Sequence, residues 1–159
     1  SQAIGPVFFG LVPLSVAFAY LPVLLGGTAL SCRGSGNKFS RAVFLSGGFI
    51  LLADLVIDPA AVHAGFWTWE NPGLYYGIPL SNFIGWALTG LIYSWLFLAL
   101  VSKSARPLYC PPAPMAASLL LIMALWSGYL FRNLLLVPAV LGLVYAILIG
   151  LVFCKAGEK

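Results

Sequence analysis

Acidic residues are nearly missing from this 159-residue chain: it holds four Asp and Glu, and all charged residues together make up 8% of it. Soluble domains carry roughly a quarter charged residues, so a water-soluble globule is excluded. There is a single histidine, and the three cysteines, Cys32, Cys110 and Cys154, are unevenly spaced without a CxxC pattern. That leaves no ligand set for a metal and no disulfide framework. The eight Lys and Arg give a net charge of +4, but they are scattered through short loops. Without a basic face there is no nucleic-acid surface. A dinucleotide fingerprint and a phosphate loop are also absent. The first residues show neither a basic n-region nor a small-residue cleavage site.

What is present is apolar surface, with 62% of residues hydrophobic. Lipid can solvate such a chain, because helices satisfy their own backbone polar groups there. Apolar runs read against about 20 residues per crossing predict an all-α polytopic membrane protein. It forms one domain with five transmembrane helices. The spans fall at 5–30, 42–57, 81–101, 115–131 and 134–153. Pro6, Pro13 and Pro22 predict a bent first span. The second span is expected to stop at Asp58-Pro59, because the residue before proline avoids the α region. Ser81 or Asn82 is the expected N-cap of the third. Residues 59–80 form a long connection rich in aromatics, Gly and Pro.

Five crossings place the 31–41 loop, the 102–114 loop and the C-terminal tail on one side. Together they carry Arg33, Lys38, Arg41, Lys103, Arg106, Lys155 and Lys159, and only Arg132 lies opposite. The positive-inside rule puts that basic side in the cytoplasm and the N-terminus outside. All three cysteines then sit at cytoplasmic ends, where thiols stay reduced.

The chemistry-bearing residues are few. Asp54 lies within an apolar span, roughly 18 Å in from residue 42 at 1.5 Å per residue. That is past the middle of a hydrocarbon core about 30 Å thick. An Asp there costs on the order of 2.5–3.5 kcal/mol on insertion scales, which makes it a functional candidate by default. The alternative is a structural hydrogen bond between helices. Asp58 follows four residues later on the same face, and could equally cap the next turn with Pro59 at its first position. Glu70 is either solvated or auxiliary to the site. His63 reads as an interfacial polar residue or an auxiliary group. Arg132 either snorkels to the headgroups or pairs with an acid on its side. Trp67, Trp69, Tyr75 and Tyr76 form either an aromatic belt or, with Phe66 and the turns allowed by Gly65, Gly73 and Gly77, a folded lid over the helix ends. Trp86 and Tyr93, seven apart, share one face of the third span, where packing accounts for the pair.

From Asp54 to Trp86 the chain reads DLVIDPAAVHAGFWTWENPGLYYGIPLSNFIGW. This string resembles the carotenoid biosynthesis protein family, which includes the CruF-type carotenoid 1',2'-hydratases and the bisanhydrobacterioruberin hydratases. The elements that carry the resemblance are Asp54, Asp58-Pro59, Gly65-x-Trp67-x-Trp69, Gly73-x-Tyr75-Tyr76-Gly77-Ile78-Pro79, Asn82-Phe83 and Gly85-Trp86. A weaker similarity covers Gly5-Pro6 through Val12-Pro13-Leu14. Family members are longer and carry further helices ahead of Gly5. This chain is therefore expected to be either the C-terminal part of a longer protein or a shortened relative.

The resemblance implies addition of water across a terminal C=C of an acyclic carotenoid, with no cofactor and no metal. The implied donor is Asp54, kept neutral by burial and by a second carboxylate, with Asp58 orienting the water or taking its proton. Trp67, Trp69, Tyr75, Tyr76, Asn82 and Trp86 are the implied substrate contacts, with rings offering cation–π stabilisation. Partners are then a carotenoid or another polyisoprenoid lipid, membrane lipids and other membrane subunits. The membrane is the cell inner membrane or an intracytoplasmic photosynthetic one. The contrasting expectation is a non-catalytic carotenoid-binding or structural subunit of a membrane complex.

Overall fold

The computed structural model describes residues 7–8, 12–102 and 108–157. Among the described residues one short strand pairing occurs, in which β1 (Val7–Phe8) lies antiparallel to β2 (Val12–Pro13), and an isolated bridge joins Tyr75 to Ile78 in the irregular 64–79 connection. Five helices follow: α1 (Leu14–Gly34), α2 (Phe39–His63), α3 (Leu80–Val101), α4 (Ala117–Arg132) and α5 (Leu136–Gly157). A 3-10 turn, Ala113–Ala116, leads into α4. Phe39–His63, Leu80–Val101 and Pro114–Arg132 are each long and apolar enough to cross a membrane, and Leu136–Val152 is a shorter apolar helix. With 21 residues, α1 spans about 30 Å at 1.5 Å per residue.

Three sequence expectations need correction. The first helix begins at Leu14 rather than at residue 5, with Pro13 just ahead of it, where its missing N–H breaks no helical bond. Gly5-Pro6 lies outside the described residues, as do Lys103, Arg106 and Lys159. The second helix does not stop at Asp58-Pro59 but runs on to His63 with Pro59 inside it. Pro59 cannot donate to the Leu55 carbonyl one turn back. The Tyr75 hydroxyl donates to that same carbonyl at 2.9 Å, so the bond lost to proline is replaced from the loop. Finally, Pro79 rather than Ser81 or Asn82 occupies the N-cap of α3, and the Asn82 side chain is used elsewhere.

The core is organised around α2, which touches each of the other four helices. Its central stretch is 61% buried, against 17% for α3. The α2–α3 crossing is tight because it is built on glycine. A Cβ at Gly90 would come within 3.0 Å of the Gly47 Cα and 3.1 Å of Ile50, so only small residues permit this approach. Met123, Leu130, Tyr145 and Ile149 from α4 and α5 fill the space on the far side of α2. At the opposite end from the aromatic loop, Arg33 donates to the Pro111 carbonyl at 2.8 Å and the Leu108 amide donates to the Asn37 side chain. Residues 33–37 and 108–111 are thus joined in space, at one end of the bundle.

Candidate active site

Period 3.6 puts Asp54 and Asp58 on one face of α2, and that face points into the bundle: the residues are 0% and 2% exposed. Buried carboxyls require partners, and two neighbouring helices supply them. From α1, the Tyr20 hydroxyl lies 3.1 Å from Asp54 Oδ1 and 3.3 Å from Asp58 Oδ1. From α3, the Asn82 amide nitrogen lies 3.1 Å from Asp54 Oδ2 and 2.6 Å from Asp58 Oδ2. The four side chains close a ring, with the carboxyls facing each other across a hydroxyl on one side and an amide on the other. Trp86, one turn after Asn82, stacks on Tyr20 with ring centroids 3.9 Å apart and planes 14° apart. The indole thus packs face to face on the phenol that bridges the two carboxyls.

The aromatic connection is folded as a compact cover. Tyr76 (φ 50°) and Gly77 (φ 80°) both adopt positive φ, and the Ile78 amide closes onto the Tyr75 carbonyl at 2.9 Å. Two successive positive φ values define a type I′ turn, in which glycine is at ease and tyrosine is not. That turn aims Tyr75 at the helix. Its ring meets Tyr76 and Phe83 edge-on at 4.9 and 5.7 Å. Burial, with the Tyr76 hydroxyl nearby, pushes the Tyr75 hydroxyl up to about 12, so it remains a donor to Leu55 across the working range of pH.

Of the expected site residues, Asp54, Asp58, Asn82 and Trp86 are brought together. Tyr75 and Tyr76 stand one layer out, tied to α2 through Leu55. Trp67 lies beside Phe66 at 6.5 Å. Among the described residues, no hydrogen bond or ring contact joins Trp67 or Trp69 to the acids, and both indole N–H groups are buried without an acceptor. His63 turns away to Tyr129, at 2.9 Å from its hydroxyl. Glu70 and Arg132 are exposed, Arg132 at the end of α4. Tyr20 was not anticipated. The available signal was a tyrosine in mid-span, since a phenol buried among apolar side chains needs a hydrogen-bond partner and Asp54 is the nearest in kind.

A family profile described as "Carotenoid biosynthesis protein" matches residues 1–149. The chain belongs to the carotenoid biosynthesis protein family. The family likeness read from Asp54 to Trp86 therefore extends over nearly the whole chain. Bisanhydrobacterioruberin hydratase of Haloarcula japonica is 34% identical over 97 residues, a stretch that is 59% of this chain and 33% of the relative. The match spans about a third of that relative's length. No solved structure matches. For a carotenoid biosynthesis protein, the notable feature is a pair of carboxyls placed where hydrocarbon, not water, is the natural neighbour.

Proposed function

We propose that this chain carries the acid–base centre of a hydratase that adds water to a terminal C=C of an acyclic carotenoid. One observation carries the reading: two buried carboxyls share one hydrogen-bonded ring, and among the described residues no Lys or Arg neutralises them. An Asp held by cations would serve as a structural ion pair. An Asp held by a phenol and an amide can keep or give up a proton.

Asp54, as the neutral acid, gives its proton to the less substituted alkene carbon. The π electrons form the new C–H bond and leave a tertiary cation. A water molecule adds to that cation, and its surplus proton passes to the Asp58 carboxylate. The Trp86 face, negative at its centre, favours the passing cation. The residual negative charge of the acid pair acts in the same direction, and does so more strongly in a site that excludes water. The likeness to a hydratase and the position of the acids within an apolar helix of spanning length support this assignment. A carotenoid lies among lipid tails, so its end group can reach the pair without leaving the bilayer. The same reading sets the basic loops in the cytoplasm and the aromatic loop outside.

The test is expression of the chain in cells that accumulate lycopene, with products resolved by chromatography and mass. A hydroxylated product is expected. Asp54→Asn should lower its formation by about 10²–10⁴-fold, the range for removing a general acid, with membrane insertion unchanged. Undiminished product in Asp54→Asn would remove the proposed donor. Co-purified, unaltered pigment without turnover would favour the pigment-binding alternative.

A further inference from the structure

Hydrogen atoms can be counted around the ring. Tyr20 Oη makes two contacts, to the Oδ1 atoms, and Asn82 Nδ2 makes two, to the Oδ2 atoms, and the two carboxyls also meet each other directly. Each contact of Tyr20 and Asn82 needs one hydrogen between its two heavy atoms. The Asn82 amide has two hydrogens and uses both, while the Tyr20 hydroxyl has one. With both aspartates ionised, one of the Tyr20 contacts would set two bare oxygens against each other, with neither residue more than 5% exposed. With one carboxyl protonated on Oδ1, each contact of Tyr20 and Asn82 is satisfied: that acid donates to the Tyr20 oxygen, Tyr20 donates to the other aspartate, and the two carboxyls no longer meet as a pair of anions. The ring therefore holds one proton for two carboxyls, and it has two settings.

Those settings matter for turnover. In the reaction proposed above, the proton leaves Asp54 and an equivalent proton arrives on Asp58, so each cycle ends with the pair in the opposite setting. We infer that Tyr20 is the relay that resets it. Asp58 passes its proton to the phenol oxygen while the phenol passes its own to Asp54. No proton is gained or lost, no bond to carbon is involved, and the two O···O separations of 3.1 and 3.3 Å are hydrogen-bond distances. The path avoids bulk water, which the burial of all three residues makes necessary. Asn82 cannot serve, since an amide nitrogen does not exchange its hydrogens this way; it holds the opposite oxygens at fixed spacing. The inference rests on the hydratase reading for its purpose, and on the hydrogen count for its existence.

Tyr20→Phe tests it cleanly, because the ring that stacks on Trp86 is kept and only the hydroxyl is lost. With the full chain in lipid vesicles loaded with lycopene, rapid sampling of Tyr20→Phe should show a first product, about one per chain, that forms more slowly than in the unsubstituted chain but well ahead of the turnovers that follow. Later turnovers should then be slowed about a hundredfold, as for loss of a positioned proton-transfer group. The solvent deuterium effect on those later turnovers should change as well, which a purely structural role would not produce. Equal steady-state rates in Tyr20→Phe and the unsubstituted chain would overturn the relay, as would a first turnover lost as completely as the later ones. Infrared spectroscopy judges the count separately. One carboxylic-acid C=O band should shift in D2O and vanish in Asp54→Asn/Asp58→Asn. A spectrum without such a band overturns the shared proton even where product forms. If the band is present and the unsubstituted chain makes no product, the hydratase reading fails and the relay with it, while the ring's shared proton stands.

Discussion

Asn82 gives both amide hydrogens to different carboxyls, 3.1 and 2.6 Å away, and so fixes the spacing on which the acid pair depends. Asn82→Leu keeps the volume and removes both donors. Two buried carboxyl oxygens would lose their partners, at about 1–3 kcal/mol for each unsatisfied group. The expected outcome is a marked fall in thermal stability of the purified chain in detergent, together with loss of product. Asn82→Gln, which retains the amide, should recover part of the stability but little of the activity, because one extra methylene displaces the donors. A Gln variant as active as Asn82 would show that spacing is not set here. At this scale the sequence was partly legible. The acids were evident because charge is rare in apolar helices. Tyr20 was not, because a single tyrosine in a span resembles any other large side chain until its partners on another helix are known. Trp67 and Trp69 make no hydrogen bond or ring contact with the acids among the described residues, because sequence proximity in a turning loop does not fix which way a ring faces.

Among the elements, α2 departs most from expectation. Proline inside a helix costs about 3 kcal/mol or more, and a span ending at Pro59 is the economical reading of the local sequence. The compensating donor comes from Tyr75, twenty residues away by chain position, so no local rule could supply it. Tyr75→Phe removes that donor and leaves the Leu55 carbonyl unpaired beside Pro59. Loss of about 1–3 kcal/mol is expected, and it should be local: amide hydrogen exchange should quicken in the 59–79 stretch and remain unchanged in α4 and α5. Uniform destabilisation would argue that the loop and α2 are not coupled through this bond. The α2–α3 crossing makes a second demand. Gly90→Leu places a branched side chain against the Gly47 backbone and Ile50. It should reduce the amount of folded chain recovered from membranes by far more than the same change at Gly85, where a Cβ meets nothing within 4 Å.

For the molecule as a whole, the number and rough placement of helices follow from run length, but their arrangement does not. α2 and α3 have the same mean hydropathy, 1.8, yet one is 61% buried and the other 17%. In lipid, a residue facing a neighbouring helix and one facing an acyl chain can be equally apolar, so composition does not tell centre from rim. Carboxyls do tell them apart: Asp54 and Asp58 are both buried and both lie on α2, whereas the polar residue that α3 fully buries is the neutral Ser94. Loop charge is informative in another way. The 31–41 and 102–114 loops, expected in the cytoplasm, should be reachable only from that side. With the native cysteines replaced by serine, Lys38→Cys should react with a membrane-impermeant maleimide in inverted vesicles and not in intact cells, and Glu70→Cys should show the reverse. Both positions are exposed. Labelling of Lys38→Cys from outside would invert the assigned orientation.

The clasp between Tyr75 and Leu55 would tie together two events that the proposed reaction between a hydrocarbon and water must coordinate. Any movement of the aromatic segment that withdraws Tyr75 bares a carbonyl flanked in sequence by Asp54 and Asp58, and a bare carbonyl in a dry interior is a strong attractor for water. A segment that swings aside for an incoming polyene end would, by the same motion, offer a foothold to the smaller reactant one helical turn from where it is consumed.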